Sequence, residues 1–125
     1  MAKRVLLAED ETNIAESIAF LLERAGFEVT VENDGRKALD SVMTDAPDVV
    51  VLDVMLPGLD GYEILHRLRA DRRGASLPVL MLTAKGQRED REMALKCGAD
   101  LFMTKPFSNA EIVSAVRRLA DGAPD

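Results

Sequence analysis

The chain has one cysteine, Cys97, in 125 residues. A disulfide needs two, so no intramolecular bridge staples this fold, and a reducing, cytoplasmic compartment is expected. Basic residues are in deficit: 16 Lys and Arg against 22 Asp and Glu give a net charge of -6. Nucleic-acid backbones are held by clustered Lys and Arg, so direct nucleic-acid binding is not expected. Long apolar runs are missing too. The N-terminal "MAKRVLLAED" turns acidic at Glu9 after a run too short for a signal peptide or a membrane span, and no membrane partner is expected. There is no phosphate-binding P-loop, no dinucleotide fingerprint, no internal repeat and no low-complexity tract.

What is present describes an ordinary globular domain. Hydrophobic residues make up 47% and charged residues 30%, enough of each for one core and a solvated surface. One domain is expected over residues 1–120, followed at 121–125 by "DGAPD", either a flexible tail or the point where a longer protein continues.

Short apolar runs alternate with stretches of helical period. Val5 to Ala8 predicts a strand, and Ile14, Ile18, Leu21, Leu22 and Ala25 predict a helix that Gly26 can end. Phe27 to Val31 predicts a second strand; Leu39, Val42 and Met43 mark a second helix after the Asn33-Asp34-Gly35 turn. Val49 to Asp53 is a third strand, and Asp60 caps a third helix through Glu63. Val79 to Leu82, a polar helix from Arg88 to Cys97, and Asp100 to Thr104 follow, and a Ser108/Glu111 capping box opens the last helix. Five such units with doubly apolar central strands predict a doubly wound α/β domain, its parallel sheet covered by helices on both sides.

In such sheets ligands bind beyond the carboxyl ends of the strands. Glu9 and Asp10 follow the first strand, Asp53 ends the third, Thr83 follows the fourth and Lys105 the fifth. Three carboxylates gathered on one edge repel, so at least one pKa is expected to rise, and Asp10→Asn or Asp53→Asn is expected to stabilise the metal-free domain. A lone Lys cannot neutralise the set, whereas a hard divalent cation such as Mg²⁺ can. An acidic, metal-loaded pocket with a Thr hydroxyl and a Lys ammonium suits phosphoryl transfer to a carboxylate.

The segments "LLAED", "VVVLDVMLPGLDG", "MLTAK" and "MTKPF" resemble the receiver domain of bacterial response regulators, the CheY-like superfamily, over nearly the whole chain. The resemblance implies a flavodoxin-like, five-stranded parallel sheet of order 2-1-3-4-5 with five helices. It implies that Asp53 is the phosphoacceptor, and that Asp10, Asp53 and the main-chain carbonyl of Met55 bind Mg²⁺, or Mn²⁺ in its place. Glu9 would act through water. It further implies that Thr83 and Lys105 contact the phosphoryl group, that Phe102 is the aromatic switch, and that the Lys105-Pro106 bond is cis. The implied partners are a sensor histidine kinase or phosphotransfer protein, and an output domain or effector reached through the fourth helix, fifth strand and fifth helix. The protein would be a cytoplasmic monomer, or a dimer once phosphorylated. It would be a signalling switch assisting its own phosphorylation and dephosphorylation rather than an enzyme. Phe102 stands where Tyr is commoner, so only ring burial can switch, and Leu101 stands where an acid is commoner.

Two rival readings fit less well. A phosphatase of the haloacid dehalogenase type needs a second Asp two residues after the nucleophile, where this chain has Met55. A flavodoxin-like binding module needs hydroxyls and Gly after the first strand, where this chain has Glu9, Asp10 and Glu11. His66 and the cluster Arg67, Arg69, Arg72 and Arg73 read as a solvated helix end.

Overall fold

The computed structural model describes residues 2–84 and 88–122. The elements are β1 (Arg4–Ala8), α1 (Thr12–Arg24), β2 (Glu28–Glu32), α2 (Gly35–Asp45), β3 (Val49–Asp53), α3 (Gly61–Ala70), β4 (Val79–Thr83), α4 (Arg88–Lys96), β5 (Leu101–Thr104) and α5 (Asn109–Asp121). All strand pairs are parallel and the order is β2-β1-β3-β4-β5, the doubly wound, flavodoxin-like arrangement expected.

Every residue of β3 and of β4 is buried, as strands covered on both faces require. Successive side chains point to opposite faces, so the continuous apolar runs divide into two cores. Leu6, Val50, Leu52 and Met81 pack with Val42, Ile64, Leu68 and Ala94 of α2, α3 and α4. Leu7, Val51, Leu80 and Leu82 pack with Ile18 and Leu22 of α1 and Ile112 and Val116 of α5. Each large side chain so buried contributes about 1.5–3 kcal/mol, which is what holds five short strands together.

The expected caps form. The Asp60 carboxylate accepts from Glu63 N at 2.9 Å, and Ser108 and Glu111 complete their capping box. Three strand starts differ from expectation: β1 begins one residue early, at Arg4, and β2 and β5 each begin one residue late. β2 begins at Glu28, with Phe27 left in the core beneath it. β5 begins at Leu101, and the Asp100 carboxylate just before it accepts from Val79 N at 2.8 Å and Arg69 Nη2 at 3.0 Å.

Arg69 is the exception in the expected solvated cluster. Its guanidinium donates to the carbonyls of Gly98, Gly74 and Leu77 as well as to Asp100, and so ties the end of α3 to the starts of β4 and β5. A planar five-donor fork satisfies three loop carbonyls at once, which a solvated Lys could not. At the C-terminus, α5 runs through Asp121 and Gly122 caps it; the last three positions of the sequence lie outside the described residues.

Candidate functional site

After β1 the chain crosses to β2 on one side and later returns to β3 on the other. The reversal opens a crevice at the carboxyl ends of β1 and β3, where open α/β sheets place their ligands. Glu9 and Asp10 leave β1 at this point and Asp53 is the last residue of β3. Carboxylate oxygens of the three lie within 4.8 Å of one another.

The three acids are not equivalent. Glu9 is 1% exposed and Asp53 4%, while Asp10 faces solvent. Glu9 is fixed from both ends: its amide donates to Glu32 O at 3.0 Å, and its Oε2 accepts from Glu11 N at 3.2 Å. That second bond occupies the N-terminus of α1, whose N-cap residue Glu11 offers no side-chain cap of its own. Asp53 Oδ1 accepts from Met55 N at 2.9 Å.

Lys105, just past β5, reaches over the crevice. Its Nζ donates to Glu9 Oε1 at 2.6 Å and to Asp53 Oδ2 at 2.7 Å. Burial pulls the ammonium pKa down, but the bonds to Asp53 and Glu9 outweigh it and hold the group above its ordinary value. Glu9 moves the other way for an acid. Burial, then its hydrogen bond and repulsion with Asp53, push its carboxyl up to about 7 against the pull of Lys105. One Lys beside three carboxylates leaves the crevice short of positive charge among the described residues, as the repulsion argument from sequence anticipated.

Thr83 ends β4 and is 3% exposed; Lys105 N donates to its carbonyl at 2.7 Å, tying the two strand ends together. The Lys105-Pro106 bond is cis. Met55 enters the site through its amide, and the residue is 65% exposed. Phe102 lies apart from the acids, buried in the core beneath α2, α3 and α4 and bordering a cavity of about 250 Å³ with Arg91, Met103, Thr104 and Glu111. Sequence reasoning did not reveal which acid would be buried, nor that Lys105 would bridge two of them.

The donor set fits a hard divalent cation: three carboxylates converge with oxygens only, at an edge where one of them, Asp10, is open to water. With a buried carboxylate, an ammonium and a hydroxyl gathered at the same edge, the arrangement can accept a phosphoryl group and neutralise its charge.

A family model for the response regulator receiver domain matches residues 5–117. The alkaline phosphatase synthesis transcriptional regulatory protein PhoP of Bacillus subtilis is 43% identical over 128 residues, covering 99% of this chain and 52% of that protein. The probable transcriptional regulatory protein TcrX of Mycobacterium tuberculosis is 45% identical over 115 residues, covering 92% of this chain and 48% of that protein. The chain thus spans about half the length of these curated relatives. Among solved structures, the receiver domain of the sensor histidine kinase PA1611 from Pseudomonas aeruginosa, with a magnesium ion coordinated in its active-site cleft, superposes with a TM-score of 0.89 at 32% identity, covering 97% of this chain and 99% of that one.

Proposed function

The chain belongs to the response regulator receiver domain family of two-component signalling, and we propose that Asp53 is its phosphoacceptor. The observation that carries this is the setting of the Asp53 carboxylate, at the strand-order reversal, with Oδ2 on Lys105 Nζ at 2.7 Å and Oδ1 on Met55 N at 2.9 Å. Two donors fix the carboxylate at the end of β3, oriented for attack. One Asp53 oxygen bonds to phosphorus as the bond from phosphorus to the donor's leaving atom breaks, and the electron pair leaves with the donor. Lys105, freed from part of its contact with Asp53, is then within reach of a phosphoryl oxygen, and the Thr83 hydroxyl supplies a second donor.

Glu9, Asp10, Asp53 and the Met55 carbonyl would hold Mg²⁺, or Mn²⁺ in its place, with Glu9 acting through water. The bound metal would neutralise charge on the phosphoryl oxygens during transfer. The same residues assist loss of the phosphoryl group. Residues 1–120 form the receiver unit. The donor is a sensor histidine kinase or phosphotransfer protein, and Thr83 and Phe102 pass the change to an output domain or effector through α4, β5 and α5. The protein works in the cytoplasm without direct nucleic-acid or membrane contact, as a monomer or, once phosphorylated, a dimer. No described helix is long and apolar enough to cross a membrane.

The test is intact mass spectrometry after incubation with acetyl phosphate and Mg²⁺. The parent gains one phosphoryl mass, and it gains none after a chelator or in Asp53→Asn. Undiminished labelling in either control would overturn the assignment.

A further inference from the structure

We infer that the turn Asp34-Gly35 at the start of α2 is the seat that sets the height of the β3–α3 loop, and that Gly35 is a positioning residue for the Met55 carbonyl. The inference rests on the reading of that carbonyl as a metal ligand.

The loop between Asp53 and Gly61 is tied to its own ends: Met55 N donates to Asp53 Oδ1, and Gly61 N donates to Val54 O, both at 2.9 Å. Its middle rests on α2. Gly35 N donates to Pro57 O at 2.9 Å. A Cβ on Gly35 would lie 1.8 Å from the Leu59 carbonyl oxygen and 2.6 Å from its carbon. The obstacle is main chain, so no rotamer change can relieve it. Beside it, Asp34 Oδ1 caps α2 by accepting from Arg36 N at 2.8 Å and Lys37 N at 3.2 Å. A Cβ on Gly58 would meet the other oxygen, Oδ2, at 2.7 Å. The loop therefore lies on the helix start with no room for one carbon at either contact.

A push at Gly35 cannot be absorbed locally. Leu56 and Leu59 are buried on the core side of the loop, and lifting them would expose apolar surface. The displacement then passes along the loop to Met55, whose exposed side chain gives it no anchor in the core. A metal demanding oxygens at about 2.1 Å in octahedral array tolerates little such movement. Groups that orient a ligand without touching the metal typically govern about 10- to 100-fold in affinity.

Mg²⁺ titrations followed in amide NMR spectra test this, since they give a Kd and report folding at once. Gly35→Ala is expected to bind Mg²⁺ about tenfold or more weakly than the parent. Gly74→Ala is the control at the opposite end of the sheet; its Cβ meets Leu68 O at 2.6 Å, so it should destabilise the fold yet keep the parental Kd. Gly58→Ala, strained by its positive φ as well as by the Asp34 carboxylate, should also weaken binding. Parental affinity in Gly35→Ala overturns the inference. If Gly35→Ala does not fold, parental affinity in Gly58→Ala overturns it instead. A parent that shows no Mg²⁺ shifts at Asp53 and Met55 overturns the metal reading itself, and this inference with it.

Discussion

Lys105 Nζ donates to Glu9 Oε1 at 2.6 Å, joining residues 96 positions apart in the chain. The same nitrogen serves Asp53 Oδ2. A cation shared between two buried carboxylates is worth less to each, and Glu9 carries the deficit, its carboxyl pushed up to about 7 by burial and by Asp53.

That shift sets a pH dependence. The native state favours protonated Glu9, so its contribution is complete below the ordinary value of 4.5 and is lost as pH climbs through about 7. Urea unfolding of the metal-free protein should show the parent losing stability relative to Glu9→Gln between about pH 5 and about pH 8. Parallel profiles for the two proteins would show that Glu9 titrates normally.

The structure gives the two Asp substitutions different outcomes, where the sequence predicted stabilisation from both. Asp10 is exposed, so Asp10→Asn should leave the metal-free stability within about 0.5 kcal/mol of the parent and its Tm nearly unchanged, while weakening the rise in Tm with Mg²⁺. Asp53→Asn removes the charge from a buried ion pair with Lys105 and should lower the metal-free Tm. Thermal melts with and without Mg²⁺ decide both, and a stabilised metal-free Asp53→Asn would mean that repulsion outweighs the Lys105 contact.

Met55 bears on phosphoryl lifetime. Its side chain stands in solvent next to Asp53 and cannot orient water by hydrogen bonding, so self-dephosphorylation should be slow. Met55→Asn should speed loss of the phosphoryl group by about tenfold, measured as the decay of the phosphorylated mass after donor removal. Equal decay rates would place the water path elsewhere. In the receiver geometry the side chain at Lys85 would flank the other side of that path; Lys85 lies outside the described residues.

The architecture was legible because each rule behind it is local. Apolar runs at Val49 to Asp53 and Val79 to Leu82 could only be central strands, and the caps at Asp60 and Ser108 are signalled within four residues. The gathering of Glu9, Asp10 and Asp53 was also legible, since it follows from where the strands end. What escaped depends on contacts distant in sequence. Adjacent acids after a strand do not reveal which turns inward; Glu9 does so because Lys105 and the start of α1 are there to receive it. Arg69 looked like one of four surface arginines until the carbonyls of Gly74, Leu77 and Gly98 converged on it. Gly35 looked like a turn residue, and its closeness to Leu59 exists only in three dimensions.

The most direct measurement locates the phosphoryl group. An acyl phosphate on a carboxylate is open to borohydride, which reduces that side chain to an alcohol and marks the residue permanently. After phosphorylation with acetyl phosphate and Mg²⁺, reduction and peptide mapping by mass spectrometry should find homoserine at Asp53. Glu9 and Asp10, the other acids of the crevice, should be intact. A reduced residue at Glu9, Asp10 or any other acid, with Asp53 unchanged, would contradict the account.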